Sequence, residues 1–151
     1  MAKFPDYHPV GFYFNVTFTG VGEKDVDSRF QSVAGLNAEI QTETFREGGQ
    51  NQFEHILPVR AKYSDLVLKR GLIKDSKLIE WATKTFETLI VEPKDLTINL
   101  LNESGSPLMT WNVVHAWPKK WSVSDLNAEK GELAIETLEL HYYYFTVQAG
   151  S

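Results

Sequence analysis

The hydrophobic pattern of the chain is dominated by period 2. From Gly35 onward, Leu36, Ala38, Ile40, Thr42 and Thr44 alternate strictly with Asn37, Glu39, Gln41 and Glu43. Such alternation predicts a strand with one buried and one wet face. The wet face of this strand carries two carboxylates and two amides, with no cation among them. Arg46, Glu47, Gly48, Gly49, Gln50, Asn51 and Gln52 then break the alternation. A glycine pair among amides favours a loop. An acid-faced strand running into a polar loop is the most distinctive stretch of the chain.

The same period recurs elsewhere. Phe12, Phe14, Val16 and Phe18 form one face of an early strand, and Gly20 to Asp27 reads as a loop. A shorter strand is expected over Arg29 to Ala34, with Gly35 marking a bulge or kink. Two short strands follow, over Phe53 to Val59 and Leu66 to Lys69. Asp95 to Leu101 and Pro107 to Trp117 flank the turn Asn102–Ser106, with Met109, Trp111, Val113 and Trp117 expected on one face and Pro118 bending the chain. Leu133 to Val147 reads as one long strand whose phase slips near Glu136. Only one segment has period 3.6. From Asp75 or Ser76 as N-cap, Leu78, Ile79, Trp81, Ala82, Phe86 and Leu89 gather on one side of a helix, opposite Lys77, Glu80, Lys84 and Glu87. One helix among roughly seven or eight strands makes the protein mainly β, a barrel or sandwich with a helix packed on it.

Composition narrows the function. At 151 residues, 42% hydrophobic, the chain suits one domain, 1–151, with a real core. A formal charge of −5 argues against a dedicated nucleic-acid binder. The absence of cysteine excludes disulfides and thiolate chemistry. The N-terminal residues lack a signal-peptide core and no apolar run reaches the ~20 residues of a spanning helix, so a protein made and assembled in the cytoplasm, without membrane insertion of the free subunit, is expected.

Candidate chemistry is sparse. His8, His55, His115 and His141 lack metal-ligand spacing. Gly48-Gly49 is followed by no phosphate-binding Lys-Ser/Thr, and no serine sits at an elbow. Glu39 and Glu43 lie ~13 Å apart on a strand, beyond paired-carboxylate glycosidase geometry. The two lysines between Trp117 and Trp121 read as a solvated strand corner. Neither a catalytic residue nor a cofactor or metal is expected.

Several separated motifs carry a resemblance. They are Val10-Gly-Phe-Tyr-Phe14, Phe30-Gln-Ser-Val-Ala-Gly-Leu36, Glu39 with Thr42-Glu43, Arg46-Glu-Gly-Gly49, Leu66-Val-Leu-Lys-Arg-Gly-Leu72, Asp75-Ser76, Ala116-Trp-Pro-Lys-Lys-Trp121, Asp125-Leu-Asn-Ala128 and Ala134-Ile-Glu-Thr-Leu-Glu-Leu140. In this order, from about Val10 to Leu140, they resemble the tail-tube protein family of contractile phage tails and phage-tail-like injection systems. That resemblance implies a small β-barrel of two packed antiparallel sheets with one flanking α-helix, a fold shared with the haemolysin-coregulated tube protein of type VI secretion. It implies homohexameric rings that stack into a rigid tube inside a contractile sheath. The implied partners are other copies, the sheath protein, baseplate, tube-initiator and tube-cap proteins, and a cargo effector or DNA in the lumen. Asn37, Glu39, Gln41 and Glu43 are then expected on the lumen wall, and the Arg46–Gln52 loop is expected to reach a neighbouring subunit. The alternatives are a type VI-like ring protein that carries effectors in its lumen and a tube-initiating subunit at the baseplate.

Overall fold

A computed structural model describes residues 13–20, 30–45, 55–73, 76–131 and 133–149. Among them are nine strands and one helix: β1 (Tyr13–Phe18), β2 (Ser32–Ala34), β3 (Ala38–Phe45), β4 (His55–Tyr63), β5 (Leu66–Gly71), α1 (Lys77–Thr88), β6 (Lys94–Leu101), β7 (Pro107–Val123), β8 (Ile135–His141) and β9 (Tyr144–Ala149).

Strand β7 organises the body. Over its first part it pairs with β6 on one edge and β9 on the other (Leu96 opposite Val113, Phe145 opposite Val113). Over its second part it pairs with β8 (Trp117 opposite His141, Val123 opposite Glu136). The resulting order is β1-β6-β7-β8-β5-β2, with β9 attached to β7. Two antiparallel sheets thus share one strand, and β1 and β2 end the order without pairing to each other, so no barrel closes within the described residues.

The alternation in β7 changes phase at His115 and again just after Pro118, where the ladder to β8 skips Lys119. His115 has φ 62° and its backbone N–H donates to Asp95 Oδ1 at 3.0 Å. The ladder slips by a residue there, so the buried positions run Val113, Ala116, Pro118. Trp117 is thereby turned off the face expected for it and lies 5.2 Å from the His141 ring. Pro118 is fully buried inside the strand. The expected strand from Leu133 to Val147 is two strands, β8 and β9, broken at Tyr142 and Tyr143. Its apparent slip is instead regular alternation: Glu136, Leu138 and Leu140 all point inward, and Glu136 is buried against Arg70.

Inward faces of both sheets meet α1 in one core, built from Val16, Phe18, Leu66, Leu68, Leu78, Trp81, Leu96, Ile98, Val113, Leu138 and Leu140. Burying such a side chain contributes about 1.5–3 kcal/mol. Ser76 caps the helix by accepting from the Ile79 N–H. The buried stripe is Leu78, Trp81, Ala82 and Thr85, spaced i, i+3, i+4, i+7. Phe86 and Leu89 were expected on it, but Phe86 lies at its edge, 39% exposed, and Leu89 is the left-handed C-cap beyond the helix, 85% exposed. Thr85 takes the core position because its hydroxyl donates to the Trp81 carbonyl at 3.1 Å, so burial leaves no unmet polar group. Trp81 packs 5.9 Å from Phe18 and its Nε1 donates to the Glu92 carbonyl.

Candidate functional site: the ribbon of strands β3 and β4

Among the described residues, strands β3 and β4 pair only with each other and form a ribbon separate from the body's sheets. Every residue of β3 is exposed, and so are the seven central residues of β4. The expectation that Ala38 and Ile40 would be buried therefore fails within the subunit: Ile40 is 61% exposed. Alternation here makes two different faces, and among the described residues only Tyr63, at the base of β4, meets the core.

The register defines these faces. Glu39 stands opposite Lys62, Gln41 opposite Arg60, Glu43 opposite Leu57 and Phe45 opposite His55. On the other side Ala38 stands opposite Tyr63, Ile40 opposite Ala61, Thr42 opposite Pro58 and Thr44 opposite Ile56. Val59 is an extra residue between the pairs at Gln41 and Thr42, a bulge beside Pro58. Proline lacks a ladder donor and is accommodated at such irregularities. The expected acidic face, without cations on β3 itself, thus gains Arg60 and Lys62 from β4. These two were missed because the alternation of one strand does not show which residues its partner places opposite. The opposite face is mainly apolar.

The base of the ribbon is fixed firmly. Gly35 has φ 95°, and a Cβ there would lie 2.0 Å from the Asp65 carbonyl oxygen, so only glycine lets β2 turn into β3. Asn37, expected on the wet face, accepts from the Ser64 hydroxyl at 2.6 Å. Tyr63 packs edge-on against Phe145 at 5.1 Å and lies 6.0 Å from Tyr142. The Tyr142 hydroxyl donates to the Gly35 carbonyl at 3.4 Å. Burial, with Tyr63 and Asp65 adding to it, pushes that phenol up to about 12. Beside it, Asp65 accepts from Lys119 Nζ at 2.7 Å and lies 3.1 Å from His141 Nδ1.

A two-stranded ribbon is marginally stable alone in water. This one exposes Ile40 and Ile56 on its apolar face, Phe45 and Leu57 on the other and Val59 at the bulge, each more than half accessible. Large apolar side chains left exposed on one short ribbon mark an interaction site. The Arg46–Gln52 loop lies outside the described residues. Elsewhere, His115 stacks on Tyr143 with ring centroids 4.0 Å apart. Among the described residues no three metal-ligating side chains come together, and no helix is long and apolar enough to cross a membrane.

A family model described as T4-like virus tail tube protein gp19 matches residues 10–146. Among solved structures, the anti-feeding prophage baseplate contains a chain 28% identical, with a TM-score of 0.78 over 99% of this chain and 98% of that one. The sheath-tube complex of the PVC extracellular contractile injection system, in its extended state, contains one 26% identical, with a TM-score of 0.80 over 96% and 94%. Hcp1 from Flavobacterium johnsoniae, at 16% identity and a TM-score of 0.60 over 91% and 96%, shares the fold. No curated protein matches the chain by sequence.

Proposed function

The chain belongs to the T4-like virus tail tube protein family, a structural tube subunit, and from that premise we infer that it builds the inner tube of a contractile injection particle. Six copies close into a ring and rings stack into a rigid conduit. The observation that carries this reading is the ribbon: an amphipathic pair of strands, firmly anchored at its base and unburied on both faces. Neighbouring copies that pair along its edges and cover its apolar face remove both the open edges and the exposed apolar area. The polar face, with Glu39, Gln41 and Glu43, then lines the lumen, and Asn37 stays at the ribbon base. The Arg46–Gln52 loop extends to a neighbouring subunit.

Similar chains in a sheath-tube complex and in a baseplate support a contractile sheath and a baseplate as partners of the tube. The mechanism is mechanical: the shortening sheath drives the preassembled tube through a target envelope, and cargo follows the lumen. The subunit contributes rigidity and a lined channel.

Electron microscopy and sedimentation of the purified protein test this reading. Rings and stacked tubes, with interfaces burying about 2,000 Å² or more, are expected. A stable monomer at high concentration, with no tubes under any assembly condition, overturns it.

A further inference from the structure

We infer that Arg60 and Lys62 are wall residues that cancel the charge of Glu39 and Glu43, so that the channel wall formed by the ribbon is charge-balanced. This rests on the reading that the polar face of the ribbon lines the lumen. Glu39 faces Lys62 and Gln41 faces Arg60 across the ladder, and all four are exposed. Directly opposed residues have Cβ atoms about 5 Å apart and diagonal ones about 7–8 Å. Glu39 therefore has a cation directly opposite, well within one Debye length at physiological salt, ~8 Å, and Glu43 has Arg60 as its diagonal neighbour across the bulge.

The bulge decides this. Alternation carried back from Leu57 without the extra residue would bring Val59 and Ala61 to the polar face and send Arg60 and Lys62 to the apolar one. A one-residue shift moves every later side chain to the other face. Val59 supplies that shift, and Pro58 accompanies it. The same bulge thus removes two cations from the face that neighbours cover and places them where the carboxylates are. Per subunit the polar face holds Glu39 and Glu43 against Arg60 and Lys62, and its formal charge among the described residues is zero.

The consequence concerns retention. A wall of carboxylates alone would repel a polyanion and hold a polycation, because a narrow channel focuses the field of its lining. A balanced wall holds neither, and a chain of mixed charge slides past without a net pull.

The test loads tubes during assembly with a fluorescent single-stranded oligonucleotide or a fluorescent oligo-lysine peptide, at physiological salt. The same probes added to preformed tubes measure binding to the outside. Wild-type tubes are expected to trap neither probe above that outside level. Arg60→Gln with Lys62→Gln should raise trapped oligo-lysine about tenfold, and Glu39→Gln with Glu43→Gln should do the same for the oligonucleotide. Wild-type tubes that already trap oligo-lysine, or that trap the oligonucleotide, overturn the balanced wall, and this arm decides even where a variant fails to assemble. Variant tubes that form normally and trap no more than wild type overturn it too, while leaving the tube reading intact. Wild-type protein that never forms tubes overturns the tube reading itself.

Discussion

Arg70 and Glu136 stand directly opposite each other on β5 and β8 and form an ion pair with side chains only 2% and 3% exposed. The pair ties three elements together. Arg70 Nη2 also donates to the Ser76 hydroxyl at 2.8 Å, the same oxygen that caps α1, and the guanidinium lies 4.9 Å from the centre of the Phe30 ring. Glu136 Oε2 is buried without a hydrogen-bond partner, so the carboxylate depends heavily on Arg70.

Removing one partner of such a pair leaves a buried charge uncompensated and costs about 3–5 kcal/mol. Glu136→Ala should lower the urea midpoint of the subunit accordingly. Glu136→Leu combined with Arg70→Met should recover much of that loss, since apolar replacement of both partners is often neutral. Equal destabilisation by the single and double variants would show that the pair itself is not the source.

On α1 the buried stripe predicts unequal effects. Trp81→Ala should cost about 3–5 kcal/mol. Phe86→Ala should cost less, because that ring is already part exposed, and Glu80→Ala should stay within about 0.5 kcal/mol. Thermal unfolding of unassembled subunits gives the ranking, and a Phe86 effect as large as that of Trp81 would contradict it.

Much of this fold was legible in the chain, because period 2 and the capped amphipathic segment report local geometry. Ser76 as N-cap, the turn after Asn102 and the kink at Gly35 all stand where the pattern placed them. What was hidden depends on partners distant in sequence. Glu136 breaks the apolar pattern of β8 only until Arg70 is seen opposite it. Phe86 has the right spacing for the helix stripe, but Thr85 satisfies its own hydroxyl and takes the place. At the ribbon, the alternation of β3 does mark two faces, yet neither of them is buried within the subunit. Period 2 says that the faces differ; it does not say that the covering surface belongs to the same chain. The contribution of β4 was invisible for a second reason, since the bulge at Val59 inverts the phase that alternation alone would assign.

The turn at Gly35 allows no side chain. Gly35→Ala would place a Cβ against the Asp65 backbone in a left-handed conformation. The expected result is loss of folded protein, or destabilisation of more than about 2 kcal/mol. Normal yield and stability would mean that the link between β2 and β3 relaxes more freely than its geometry indicates.

Two groups beside the ribbon base predict opposite pH limits. Burial alone would raise the Asp65 carboxyl, but hydrogen bonds from Lys119 and His141, with their charges, outweigh it and hold that group below its usual range. Its contribution to stability is present above about pH 4 and is lost as pH falls further. Tyr142, pushed up to about 12, keeps its proton in the folded state where the unfolded phenol has lost it. Its contribution is complete below about pH 10 and declines toward pH 12. Unfolding midpoints across pH should therefore show an acid limb flattened by Asp65→Asn and an alkaline limb flattened by Tyr142→Phe. Unchanged limbs in both variants would refute the assignment.

The central claim is that the ribbon becomes the inner wall of a closed tube, and a cryo-EM reconstruction of the assembled protein tests it most directly. The expected map shows six subunits per ring, β3 and β4 paired with strands of neighbouring copies, Ile40 and Ile56 covered, and Glu39, Glu43, Arg60 and Lys62 facing the lumen. A map with the ribbon on the outer surface, or with its apolar face still open to solvent in the tube, would contradict the account.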